Sequence, residues 1–235
     1  KTLIVVALMG VSLFASTTRT DALGGAGFWA EDFANVAHFP AEVNNHSVAW
    51  TDGSDFTSIF NANGTTWGFT GGTGNDVVNM MWGNGTMGAA FGLTMTPEMK
   101  LADGDAMDKD GTMGMNFGFG MPLAGMDFGF TYAMNEDASG NVGVNLRRAQ
   151  NVWLWDNMLI NFNLDMEGDN GTADDASDDI AGGMAFGTSF YSNKSYSSGT
   201  NGLFAFGFAY DAPGCVGDGC EAPDATMAIN WNFAV

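Results

Sequence analysis

Between Met113 and Met134 the chain sets a bulky apolar residue at every second position: Met113, Met115, Phe117, Phe119 and Met121, then Met126, Phe128, Phe130, Tyr132 and Met134. Between them stand Gly114, Asn116, Gly118, Gly120, Asp127, Gly129, Thr131 and Ala133. Successive side chains of a strand point to opposite faces, so such strands carry their bulk on one face and almost none on the other. A helix would scatter the same residues around its axis. The alternation recurs at Phe91, Leu93 and Met95, at Met158, Ile160, Phe162 and Leu164, at Phe204, Phe206, Phe208 and Tyr210, and at Met227, Ile229, Trp231 and Phe233. No helical period persists after about residue 45.

In a soluble sandwich the bulky faces pack together and the outward faces are charged or Thr-rich. Here the second face is Gly, Ala, Asn, Ser and Thr. Such strands predict an all-β fold, a transmembrane antiparallel up-and-down β-barrel with bulk toward lipid and small residues lining the interior. About twelve strands are expected, with about ten or fourteen as the alternatives. Phe128 and Phe206 then face hydrocarbon, while Gly129 and Gly207 face inward and are expected to accept serine. Asn116 and Asp127 are the candidate interior residues, either touching a permeating solute or bonding to each other. Trp50, Trp67, Trp82, Trp153, Trp155, Trp231, Tyr132 and Tyr210 fit girdles at the membrane interfaces.

The connections divide into two kinds. One kind is long and acidic, at 96–112, 135–140, 165–179 and 211–224; the other is short and neutral or basic, at 83–85, 122–125, 147–151 and around Lys194. The two alternate along the chain, which places all acidic loops at one end and all short turns at the other. Arg147 and Arg148 are read as part of a basic turn. Net charge is −20 with only 7 Lys and Arg, which argues against nucleic-acid partners, because neutralising phosphates needs clustered basic residues.

Lys1 followed by LIVVALMGVSLFA is a short apolar run behind a positive charge, too short for the roughly 20 residues of a membrane-spanning helix. Residues 1–22 are expected to be a secretory signal peptide cleaved after Thr20-Asp21-Ala22, with cleavage after Ala15 or Ser16 as the alternative. Residues 23–45 would form a periplasmic or plug segment, and 46–235 the barrel. Export places Cys215 and Cys220 in an oxidising compartment, where a loop disulfide is expected.

With this leader, these strands and a final MAINWNFAV, the chain resembles small outer-membrane β-barrel proteins of Gram-negative bacteria. The resemblance implies residence in the outer membrane, contact with its bilayer, and recognition of the C-terminal strand by the assembly machinery. The chain departs in ending Phe233-Ala234-Val235, where the family usually ends in Phe. FWAEDFANVAHFPAEVNN, Phe28 to Asn45, is similar to the N-terminal segment of fatty-acid-transporter-like barrels, which tucks inside as a plug. A leader packed against the barrel mouth is the alternative.

Little points to catalysis: His38 and His46 lie at or before the first strand, away from any nucleophile motif. Gly71 to Asn79, GGTGNDVVN, fits a calcium nonapeptide once only and is read as a glycine turn into a strand. Asp165, Glu167, Asp169, Asp174 and Asp175 form the candidate Ca2+ site, since hard cations take converging carboxylates; a solvated acidic surface is the commoner role of such a loop. No other cofactor is expected. The functional expectation is a porin-like barrel passing small solutes, favouring cations through its acidic rim. The alternative is a structural or surface-interaction barrel with a plugged lumen.

Overall fold

The computed structural model describes residues 33–234 apart from the connecting stretches 52–55, 73–75, 97–110, 135–139, 149–153, 167–181, 196–198, 200 and 216–220. Its strands are β1 (Val48–Thr51), β2 (Phe56–Ala62), β3 (Thr65–Gly71), β4 (Asp76–Gly83), β5 (Gly88–Thr96), β6 (Thr112–Leu123), β7 (Met126–Met134), β8 (Gly140–Arg148), β9 (Asn157–Met166), β10 (Met184–Ser195), β11 (Asn201–Ala212) and β12 (Thr226–Ala234). They form one 12-stranded antiparallel sheet in strict sequence order, with β1 and β12 at its two ends. The fold is all-β and up-and-down, and the expected strand count holds. Among the described residues no helix is long and apolar enough to cross a membrane.

Two-residue turns set the register of two hairpins. Asn63 and Gly64 have φ of 54° and 81°, and Ala124 and Gly125 have 53° and 78°, so both central residues of each turn are left-handed. That backbone matches the right-handed twist of the flanking strands. Because the second turn takes only Ala124 and Gly125, β6 runs on through Pro122, which pairs with Asp127. The expected turn at 122–125 is therefore shorter, and the one at 147–151 is displaced along the chain: Arg147 and Arg148 belong to β8, and Lys194 to β10.

The two faces stay sorted across the sheet. Phe91, Phe117, Tyr132, Val142, Leu164 and Met184 are successive register neighbours from β5 to β10, all from the bulky set. Much of that face is open, with Phe56, Phe91, Phe117, Phe204 and Ile229 exposed and Trp231 at 80%. Trp155, from the β8–β9 connection, folds onto the same face and stacks on Phe204 and Phe206 at 5.3 and 6.4 Å. Trp50 departs from the girdle expectation: it pairs with Thr57, two residues along from the Val48–Ile59 pair and so on the same, small-residue face. A strand only four residues long, placed beside the packed N-terminal segment, has its side chains recruited to that interior.

The packed core is small and lies on the small-residue face. Val36 and Val43 of the N-terminal segment pack on Ile59, with Val48 and Met81 beside them.

Candidate functional site

The small-residue face carries a built seat. Gly83, Gly88, Gly120 and Gly129, from β4, β5, β6 and β7, are register neighbours in one lateral row. Residues Phe33–Ala37 and Pro40–Asn45 form two 3-10 helices, and the stretch from His38 to Asn44 runs along that row. A Cβ at Gly129 would overlap the His38 carbonyl oxygen, one at Gly88 the Pro40 carbonyl, and one at Gly83 the Asn44 side chain. At Gly120 it would stand 2.6 Å from the Ala41 nitrogen. Only glycine leaves room for backbone to approach a sheet this closely.

Polar contacts fix the segment at both ends of the row. Asn44 donates from Nδ2 to the Met87 carbonyl at 3.0 Å and accepts at Oδ1 from the Gly85 N–H at 2.7 Å, tying it to the β4–β5 turn. At the other end Arg147 is wholly buried. Its guanidinium donates to Glu42 Oε1 and, at 2.8 and 2.9 Å, to Asp127 Oδ2. Asn45 donates to the other Glu42 oxygen at 2.7 Å, and the Phe39 ring lies 4.6 Å from the guanidinium carbon. The Arg147 charge therefore lies between two carboxylates and an aromatic face, the company a buried charge needs. His38, within this stretch, has its pKa lowered by desolvation.

The segment covers only part of the face. Its second 3-10 helix contacts β3 to β7, whereas along β9 to β12 a cavity of about 510 Å³ is lined by Asn161, Ser189, Asp211 and Asn230 together with Phe206 and Trp231 of the bulky set. A smaller cavity of about 280 Å³ lies between Val36 and Ala37 and the wall residues Thr57, Ile59, Thr70, Asn79, Met81 and Asn116.

Asn116 and Asp127 both lie on the small-residue face, as expected, but they do not meet. Asn116 pairs with Ala133 in the ladder and Asp127 with Pro122, and Asp127 bonds Arg147 instead. The reading of Arg147 as a turn residue is corrected: it is the centre of the buried ion cluster. Of the Ca2+ candidates only Asp165 is described, accepting from Asn141 Nδ2 at 2.6 Å; Glu167, Asp169, Asp174 and Asp175 lie outside the described residues. Among the described residues no group of three or more potential metal ligands comes together. Cys215 is described and Cys220 is not, so the expected bridge also falls outside. Residues 73–75 of the glycine nonapeptide, where the turn was expected, likewise lie outside the described residues, while Asp76 to Asn79 open β4.

Sequence reading missed the roles of Glu42 and Asn44 and the glycine row. The row was within reach, because once the hairpins are drawn in register the four glycines align. No known family model matches the chain, and neither does any curated protein or solved structure.

Proposed function

We propose that this chain is an exported protein of the bacterial outer membrane, its sheet closed edge to edge as a barrel, that passes small solutes and favours cations. The observation that carries the reading is the inversion of the two faces. An apolar surface of Phe, Met, Ile and Trp stands exposed, while the opposite face of the strands is mostly Gly, Ala, Asn, Ser and Thr. Hydrocarbon is the solvent that rewards the first, and water the second. Strands β5 to β12 are 9 to 12 residues long, matching the roughly 9–11 that a tilted strand needs to cross a bilayer. Closure would also remove the two open edges of β1 and β12.

Cation preference rests on the acidic connections, all at one end of an up-and-down sheet, and on Asp165 and Asp211 where the inner face approaches that end. The deciding experiment is planar-bilayer recording of the refolded protein. Discrete steps with a reversal potential favouring K+ over Cl− are expected, and insertion without current counts against a pore. The second reading, a structural barrel with its lumen closed, draws on the buried Arg147 cluster that holds the N-terminal segment in place.

A further inference from the structure

We infer that the cavity between Val36, Ala37 and the wall of β2 to β6 is a binding site for a small uncharged amphiphile, a short apolar body carrying a carboxamide-like head. The inference goes beyond the pore reading, since it names a molecule that the wall retains. Two register rows shape the site. Thr57, Thr70, Asn79, Gly92 and Asn116 are successive neighbours across β2 to β6, and Ile59, Gly68, Met81, Ala90 and Gly118 form the row beside them. The first row offers hydroxyls and amides and the second offers hydrocarbon, with Val36 packed on Ile59 at the apolar side. Met80 and Phe91, the residues between the rows on β4 and β5, also line the cavity.

A glycine in each row sets the character of the floor. A Cβ at Gly92 would overlap Asn79 Oδ1 and Asn116 Nδ2, so the missing side chain is the room into which two carboxamides lean. A Cβ at Gly68 would stand 3.1 Å from Met81 Cβ and Cε and 3.3 Å from Ile59 Cγ1, so the same absence in the next row lets two apolar side chains close in. Asn116 is exposed and Asn79 half-buried, which leaves their donors and acceptors open to an occupant. A carboxamide donates and accepts at once, and the head that complements it does the same. Among the described residues no Lys, Arg, Asp or Glu lines the cavity, so a carboxylate or ammonium would enter without a counter-charge, which a part-buried site penalises. At about 280 Å³ the cavity falls just under the roughly 300–1,000 Å³ of ordinary small-molecule sites, which limits the body to a short chain or one ring.

The test titrates the full-length protein, refolded in lipid nanodiscs with isotope-labelled methionine methyls, with hexanamide and with hexanoate. The Met81 methyl, assigned through Met81→Leu, reports the site, and the Met227 methyl, on the bulky face of a residue 74% exposed, reports partition into lipid. Hexanamide is expected to shift Met81 saturably while Met227 does not follow the same curve, and hexanoate to bind at least about tenfold more weakly. Asn79→Leu and Asn116→Leu, which keep the bulk and remove the hydrogen bonds, are each expected to weaken hexanamide by about three- to tenfold. A Met81 shift that only tracks Met227 would overturn the site. Hexanoate binding as well as hexanamide would overturn the uncharged ligand, and variants that bind hexanamide like wild type would overturn the role of the amides. Should neither variant fold, the two probes on wild type still decide the first two points. Planar-bilayer current from the same preparation is read separately. Current without a saturable Met81 shift would overturn the site and leave the pore reading standing, whereas a saturable shift without current supports the site and counts against the pore.

Discussion

The guanidinium of Arg147, with no surface of its own exposed, pairs with the carboxylate of Glu42 from 105 positions earlier in the chain. One end of that pair belongs to the sheet and the other to the N-terminal segment. The contact ties the N-terminal segment to the small-residue face of the sheet.

Removing Arg147 strands two carboxylates, one of them buried. Arg147→Ala is therefore expected to cost about 3–5 kcal/mol, the range for breaking a buried pair from one side. Lys194, 58% exposed and 3.5 Å from Asp156, provides the contrast: Lys194→Ala is expected to cost no more than about 1 kcal/mol. Urea unfolding of both variants in detergent, followed by Trp fluorescence, makes the comparison. Equal losses would mean that the Arg147 cluster contributes nothing beyond a surface ion pair.

Ala124 holds φ of 53° in its turn, a region that costs an L-residue with a plain side chain about 1–2 kcal/mol. Ala124→Asn or Ala124→Gly is expected to stabilise the β6–β7 hairpin by a few tenths to about 1 kcal/mol, since both residues enter that region more readily. A lowered unfolding midpoint in either variant would contradict the turn geometry.

The two faces differ in what they tolerate. Phe206→Arg on the bulky face is expected to cost roughly 2–4 kcal/mol in a bilayer, while Gly207→Ser on the opposite face is expected to be mild. Gly129 departs from the expectation that it would behave like Gly207. Its missing Cβ is the space the His38 carbonyl occupies, so Gly129→Ser is expected to unseat the N-terminal segment although the strand can accept serine. Folding yield into vesicles separates the first pair, and hydrogen exchange of residues 35–45 detects the third.

How these residues were legible differs case by case. Phe128 and Gly129 reveal their faces from sequence because strand period assigns a side without reference to any partner. Asp127 and Arg147 are 20 residues apart, and their meeting follows once the β7–β8 hairpin is in register. Two adjacent arginines before a gap suggested a turn, and that suggestion hid the pairing. Glu42 reaches Arg147 through no hairpin at all, so nothing in local pattern could find it. Trp50 misled for a related reason: its face depends on what β1 packs against, not on its place near a strand end.

If the acidic end of the sheet forms the mouth of a pore, its charge should select cations, and salt should erode the selection. Exposed charges act over about 10 Å at 0.1 M salt and about 3 Å at 1 M, so a rim is screened at high salt whereas a narrow internal filter resists. Asp211, exposed on the small-residue face of β11, and Asp165 of β9, bonded to Asn141 of β8, are strand acids at that end. Asp165→Asn with Asp211→Asn is expected to lower the K+ over Cl− preference in part. Adding Asp174→Asn, Asp175→Asn, Asp178→Asn and Asp179→Asn should lower it further without blocking insertion, because these fall between β9 and β10 in the sequence. Reversal potentials in a tenfold KCl gradient, taken at low and at high mean salt, read both effects. A preference that survives high salt and the substitutions would place selectivity deeper, at the opening left beside the N-terminal segment, and would remove the acidic rim from the account.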